Sequence, residues 1–182
     1  MEILTFIILI ISILYIRYLI KKERSINKLN SLFYNTYYFS QFNEININWR
    51  LVTQETLNLT KLLVKDNFFN LIVDSNMLLQ HYYNFPLTMK FLINIPNIIY
   101  AGFIFIDPYS SIALESKNNT FNYFLGLNTS IQDNHNNVYL TSQKNKIIIE
   151  NGKNLVHNSN YNIQICNNTK YDSVILLIRF NR

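Results

Sequence analysis

The sequence predicts a mainly β domain of the sandwich or jelly-roll kind, flanked by helices and preceded by an apolar N-terminal helix. Three observations predict it. Short runs rich in β-branched and aromatic residues succeed one another from Ile98 onward: IIYAGFIFI, TFNYFLGL, NVYLTS, KIIIE, NIQIC and SVILLIRF. Asn, Asp, Ser and Gly clusters separate them, and no helical pattern intervenes, which implies a sandwich or jelly roll. Residues Ile3 to Ile20 are apolar apart from Thr5, Ser12 and Arg17.

That first stretch is near the lower length for spanning a bilayer as a helix. Arg17 sits where it can snorkel to the headgroups. The residues that follow are KKERSINK, without the small-residue site of a cleaved leader, so an uncleaved single-pass anchor over residues 1–22 is expected. Arg17, Lys21, Lys22 and Arg24 follow the span, whereas Glu2 precedes it. The positive-inside bias then puts the C-terminal domain on the cytosolic side. Sequons at Asn58, Asn118, Asn128 and Asn167 favour the other face, but an Asn-rich chain writes them by chance.

Residues 23–48 show no clear period and read as a linker that docks on the domain of residues 49–182. Trp49 to Phe69 carries a roughly helical pattern of Leu51, Leu57, Leu62 and Leu63. Met77 to Phe85 is undecided. Leu87 to Ile95 reads as a short amphipathic helix entered after Pro86 and ended at Pro96. From Ile98 the pattern is β, and SVILLIRF, nearly unbroken apolar, reads as a strand buried on both faces.

Composition excludes several classes. The formal charge of +5 is gathered beside the apolar segment or scattered, without the basic, aromatic-interleaved face that nucleic acid requires. Cys166 is the only cysteine, which rules out an intrachain disulfide and a thiolate metal site. Three glycines exclude a phosphate-binding glycine loop. The bias toward Asn, Ile, Lys, Tyr and Phe is what an AT-rich genome writes, as several large cytoplasmic DNA viruses do, so a virion membrane is one expected location.

The second half resembles the aspartyl/asparaginyl β-hydroxylase family. The matching frame is FPLT (Phe85–Thr88), Ile95–Pro96, Ala101–Phe103, Pro108, Leu125–Leu127, Gly152–Lys153, Ser159, Asn167–Thr169 and Val174–Ile178. The resemblance implies a double-stranded β-helix, cupin-like, with Fe(II) on two imidazoles and 2-oxoglutarate held by arginine. This chain departs from that pattern at the working positions. Glu115 and Asn162 stand where the family has its two histidines. Asn122 and Phe124 replace the Arg and His of the glycine-containing strand, and Ser173 replaces the arginine that opens the last strand. A carboxamide is a far poorer ligand than imidazole.

The expectation is therefore a non-catalytic, hydroxylase-like domain that serves as a structural or protein-interaction module and needs no cofactor. The rival is an active dioxygenase with rearranged ligands, in which His157 stands as a displaced metal ligand near Glu115. A third is a viral entry or fusion component. His157 otherwise reads as a turn histidine, and His81 and His135 have no partner at ligand spacing.

Overall fold

The structure, a computed structural model, describes residues 14–18, 20, 32–57, 67–129 and 137–181. Of the expected anchor only residues 14–18 and 20 are described, and they are helical; the rest lies outside the described residues. Among the described residues no helix is long and apolar enough to cross a membrane.

Among the described residues eleven strands form two antiparallel sheets. The larger orders β1 (Phe33–Tyr34), β9 (Asn154–Asn158), β6 (Thr120–Asn128), β11 (Ser173–Asn181), β4 (Ile98–Ile106), β2 (Phe68–Val73) and β3 (Asn76–Met77). The smaller orders β5 (Ser110–Leu114), β10 (Ile163–Asn167), β7 (Val138–Ser142) and β8 (Asn145–Ile148). Numbered one to eight, strands β4 to β11 run six-three-eight-one in one sheet and two-seven-four-five in the other. Successive strands thus alternate between the sheets through most of the chain, which is jelly-roll topology.

Period-two alternation assigns each strand two faces. On β11, Ile175 and Leu177 point between the sheets, while Val174, Leu176, Ile178 and Phe180 point to the outer layer. Ile104 and Ile106 of β4 join the inter-sheet core with Phe124, Leu140, Leu155 and Ile165. The outer core is aromatic, with Phe42 stacked on Tyr123 at 4.2 Å between ring centroids. Each fully buried side chain of this size contributes about 1.5–3 kcal/mol, so the two cores supply most of the folding free energy.

Three short helices cover that outer face: α1 (Asn43–Ile47), α2 (Trp49–Thr56) and α3 (Pro86–Ile93). The described part of the docking linker is well packed: Leu32, Phe33, Phe42 and Ile45 are buried, and Phe33 pairs with His157. The helix expected over Trp49–Phe69 ends at Thr56, and Phe68 and Phe69 begin strand β2, because their rings join the sheet and its cores. Residues 58–66 lie outside the described residues. Helix α3 starts at Pro86 as its proline dictates. It has no cap of its own; Glu55 of α2 supplies one, accepting from the Leu87 and Thr88 N–H groups at 2.7 and 2.9 Å.

Two glycines of the sequence frame have steric causes. A Cβ at Gly126 would stand 2.3 Å from the Glu150 carbonyl oxygen, because the turn between β8 and β9 folds across β6 there. That turn is tied on by Gly152 N–H to the Gly126 carbonyl and Gly126 N–H to the Lys153 carbonyl. Gly152 has φ +75° and lies under the Trp49 indole, so it needs both the left-handed conformation and the missing side chain.

We expect Gly126→Ala to cost about 1–3 kcal/mol through overpacking, and Glu55→Ala about 1–2 kcal/mol through loss of the cap and its charged hydrogen bonds. Urea denaturation of each variant measures both; a Gly126→Ala protein of unchanged midpoint would remove the steric account of the motif.

Candidate functional site

One rung of the large sheet gathers polar side chains within a largely apolar interior. Register pairs Tyr100 of β4 with Arg179 of β11, Arg179 with Asn122 of β6, and Asn122 with His157 of β9. The Arg179 Nε–H donates to Asn122 Oδ1 at 2.8 Å. Its Nη2 makes a longer, exposed contact of 3.4 Å with the Glu115 carbonyl. His157 is fully buried, packs its ring against Phe33 at 5.1 Å, and meets Ser142 Oγ of the facing sheet through Nε2 at 3.2 Å. The Tyr100 hydroxyl donates to Asn70 Oδ1 at 2.9 Å.

Burial governs the electrostatics of this rung. It pushes the Tyr100 phenol up to about 12, opposed by the Arg179 charge. It lowers the Arg179 guanidinium, opposed by Tyr100. The His157 imidazole falls to about 4, first through desolvation and then through repulsion from Arg179. A neutral histidine beside a half-buried arginine is the resulting state at neutral pH.

Glu115 and Asn162 do come together, at the rim of the same end. The Asn162 Oδ1 accepts the Ser116 N–H at 3.0 Å, and its backbone carbonyl accepts the Ser142 hydroxyl at 2.8 Å. An open groove of about 390 Å³ borders this rim, lined by Ser142, Gln143, Lys144 and Asn162 among others. Asn122 and His157 belong to the rung behind the rim. Phe124 is not at a polar position at all: it is fully buried in the inter-sheet core, one interior step along β6.

Ser173 lies apart from this rung. It opens β11 opposite Ile106, six residues from Arg179, roughly 20 Å along the strand and at the other end of the barrel. His157 is no turn residue either; it is a buried strand residue, because β9 pairs with both β1 and β6. His81 lies on the outer side, 4.6 Å from the Phe69 ring, with burial lowering its pKa. His135 lies outside the described residues.

The donor set does not fit the iron that the resemblance implies. His157 is the one imidazole in the rung, its Nε2 is engaged by Ser142, and a guanidinium stands two strands away. Asn162 spends its amide oxygen on the chain beside it, and no group of three His, Cys, Asp or Glu gathers among the described residues. An iron centre prefers imidazole and carboxylate donors that are free to turn inward. Tyr100 and Arg179 are the members that sequence reasoning missed. The available signal was a lone arginine in SVILLIRF: alternation puts it on the same face as Ile175 and Leu177.

No protein-family model matches the sequence, and the search of curated proteins gives no match. Solved structures do match. A cupin protein from Bacteroides fragilis is 12% identical with a TM-score of 0.41, over 68% of this chain and 85% of that one. The cupin domain of Schizosaccharomyces pombe Cnp3 is 12% identical at a TM-score of 0.39, over 48% and 55% of the two chains. A Photorhabdus luminescens protein is 12% identical at 0.39, over 46% and 62%. The chain thus spans less than two thirds of the length of the latter two. The jelly-roll assignment stands on the strand order itself.

The lowered His157 pKa has a stability consequence with a definite sign. The unfolded imidazole takes a proton near its ordinary 6.5, whereas the folded one refuses it until about 4. Its contribution is complete above that upper value and declines as pH falls through the window. The native protein should therefore lose roughly 2 kcal/mol between about pH 7 and pH 5 from this group, and His157→Gln should lack that slope. Urea midpoints across the window check it; parallel slopes would remove His157 as the source.

Proposed function

We propose that this chain is a non-catalytic jelly-roll binding module, held at a membrane by its N-terminal apolar segment and descended from the hydroxylase-type proteins its sequence frame resembles. The observation that carries the proposal is the clasp at the rim. The residue standing for the second histidine, Asn162, ties the ends of β5, β7 and β10 together through Ser116 and Ser142. A position spent on holding the barrel shut is not available as a ligand. The half-buried Arg179 behind it adds a positive charge where a metal cation would have to sit.

The anchor is supported by the apolar run Ile3–Ile20, and by the exposure of Leu14, Ile16 and Ile20 in its described part, which suits a helix whose partner is lipid. The charge bias supports a cytosolic orientation of the domain, and the composition supports a virion membrane as one setting. On this proposal the module works through other proteins and does not bind nucleic acid.

The test is an anaerobic Fe(II) titration of the full chain with and without 2-oxoglutarate, followed by assay for succinate on admitting oxygen. We expect no stoichiometric iron, no iron-dependent 2-oxoglutarate binding and no succinate. One iron per chain with turnover would establish the rival dioxygenase. Extraction of expressing membranes at alkaline pH should leave the chain in the pellet; release into the supernatant would remove the anchor from the proposal.

A further inference from the structure

The helical layer is apolar on its outer surface as well as on its inner one. The inner side is settled, since Ile45, Val52, Met89 and Leu92 are buried in the outer core. Helical periodicity then turns Ile47, Leu51 and Leu57 away from the barrel, and on α3 it turns Leu87 and Ile93 the same way. Ile47 is 80% exposed and Ile93 57%, and Tyr83, in the turn that enters α3, is 92% exposed. The two stripes lie side by side. Glu55 pins the end of α2 to the start of α3, and the Asn94 amide beyond the end of α3 donates to Glu44 of α1 at 3.4 Å. Large apolar side chains gathered in water on one layer mark a surface with a partner.

Charge chooses the partner. The acids of these helices are Glu44 and Glu55, and each is turned to a group of the neighbouring helix. The bases, Arg50 and Lys90, lie exposed among the apolar side chains of the stripes. Apolar and tyrosine side chains interspersed with outward bases form the surface that an anionic lipid headgroup layer takes. The outer face of the smaller sheet, across the barrel, is of another kind. It exposes Ser111, Gln164 and Lys146, and the Gln164 amide donates to Ser111 at 2.8 Å. The tether supplies proximity. Eleven residues, 21–31, separate Ile20 from Leu32, a span of about 40 Å at most. They include Lys21, Lys22, Arg24 and Lys28. A domain held that close turns one side to the bilayer, and of the two outer faces the helical layer has the chemistry for it.

We propose that the helical layer docks on the bilayer, with Ile47, Leu51, Leu87 and Ile93 in the headgroup region of an anionic leaflet and Arg50 and Lys90 on its phosphates. This rests on the reading of the chain as held at a membrane, and adds to it which face meets the lipid. The smaller sheet then faces away from the membrane.

The experiment reconstitutes the full chain, carrying Cys166→Ser, in vesicles of phosphatidylcholine with and without phosphatidylserine. A nitroxide is attached in turn at Leu51→Cys, at Tyr83→Cys and, on the smaller sheet, at Ser111→Cys. Its collisions with oxygen and with a water-soluble nickel chelate report depth. In the anionic vesicles the labels at the Leu51 and Tyr83 positions should lie about 5–10 Å below the headgroup surface. The label at the Ser111 position should stay in water. Ile47→Glu combined with Ile93→Glu alters only exposed side chains. It should return the first two labels to water while the chain still floats with the vesicles. Flotation of the unaltered layer with both labels in water overturns the proposal and leaves the anchor in place. Spin–spin broadening between labels at the Leu51 position, without lipid contact, makes the cover a second copy of this chain and overturns it as well. A chain that does not float removes the anchor and the docking together.

Discussion

Strand β11 is the member on which every layer depends. It is paired along its length with β4 on one side and β6 on the other, so the large sheet has no continuity without it. Its outward face anchors the aromatic core under the helices, and its inward face fills the space between the sheets. A strand covered on both faces tolerates only apolar side chains or polar ones with partners. Arg179 is of the second kind, and its cost is moderated by its position near the barrel rim, where Asn122 accepts from one end of the guanidinium and the other reaches the Glu115 carbonyl.

Much of this was legible in the sequence. The strands from Ile98 to Ile106, Thr120 to Asn128 and Ser173 to Asn181 are long, β-branched and bounded by turn residues, so their periodicity survives without knowledge of neighbours. Pro86 announced helix α3 for the same local reason. Strand β2 was hidden because Phe68 and Phe69 follow a leucine-rich stretch, and only the tertiary partner β4 decides which period applies. Strand β9 was hidden by its Asn and His residues, which read as a turn until β1 and β6 flank them.

The candidate site was less legible, for a geometric reason. Its members come from four strands between Tyr100 and Arg179, and only the register makes them neighbours. Glu115 and Asn162, the positions the resemblance points to, lie side by side at the rim because one follows the end of β5 and the other precedes β10. Ser173 opens the last strand as expected and lies far from that rim, since a motif position marks the start of a strand and says nothing of which end of the barrel that start occupies. The glycine frame has an explanation that does not involve chemistry. Gly126 and Gly152 are small because a turn and an indole ring press on them.

The position of β11 in the order of synthesis has a consequence for how the molecule is made. Strands β4 and β6 emerge from the ribosome before it, and each pairs on one flank with a segment that does not yet exist. At the usual elongation rate of about 5–20 residues per second, the roughly seventy residues between β4 and β11 take several seconds. During that interval two hydrophobic edges are open to any strand that meets them, from this chain or from another on the same polysome. Expression in the cell is accordingly a contest between completion and capture, and holdase chaperones that mask such edges set the yield.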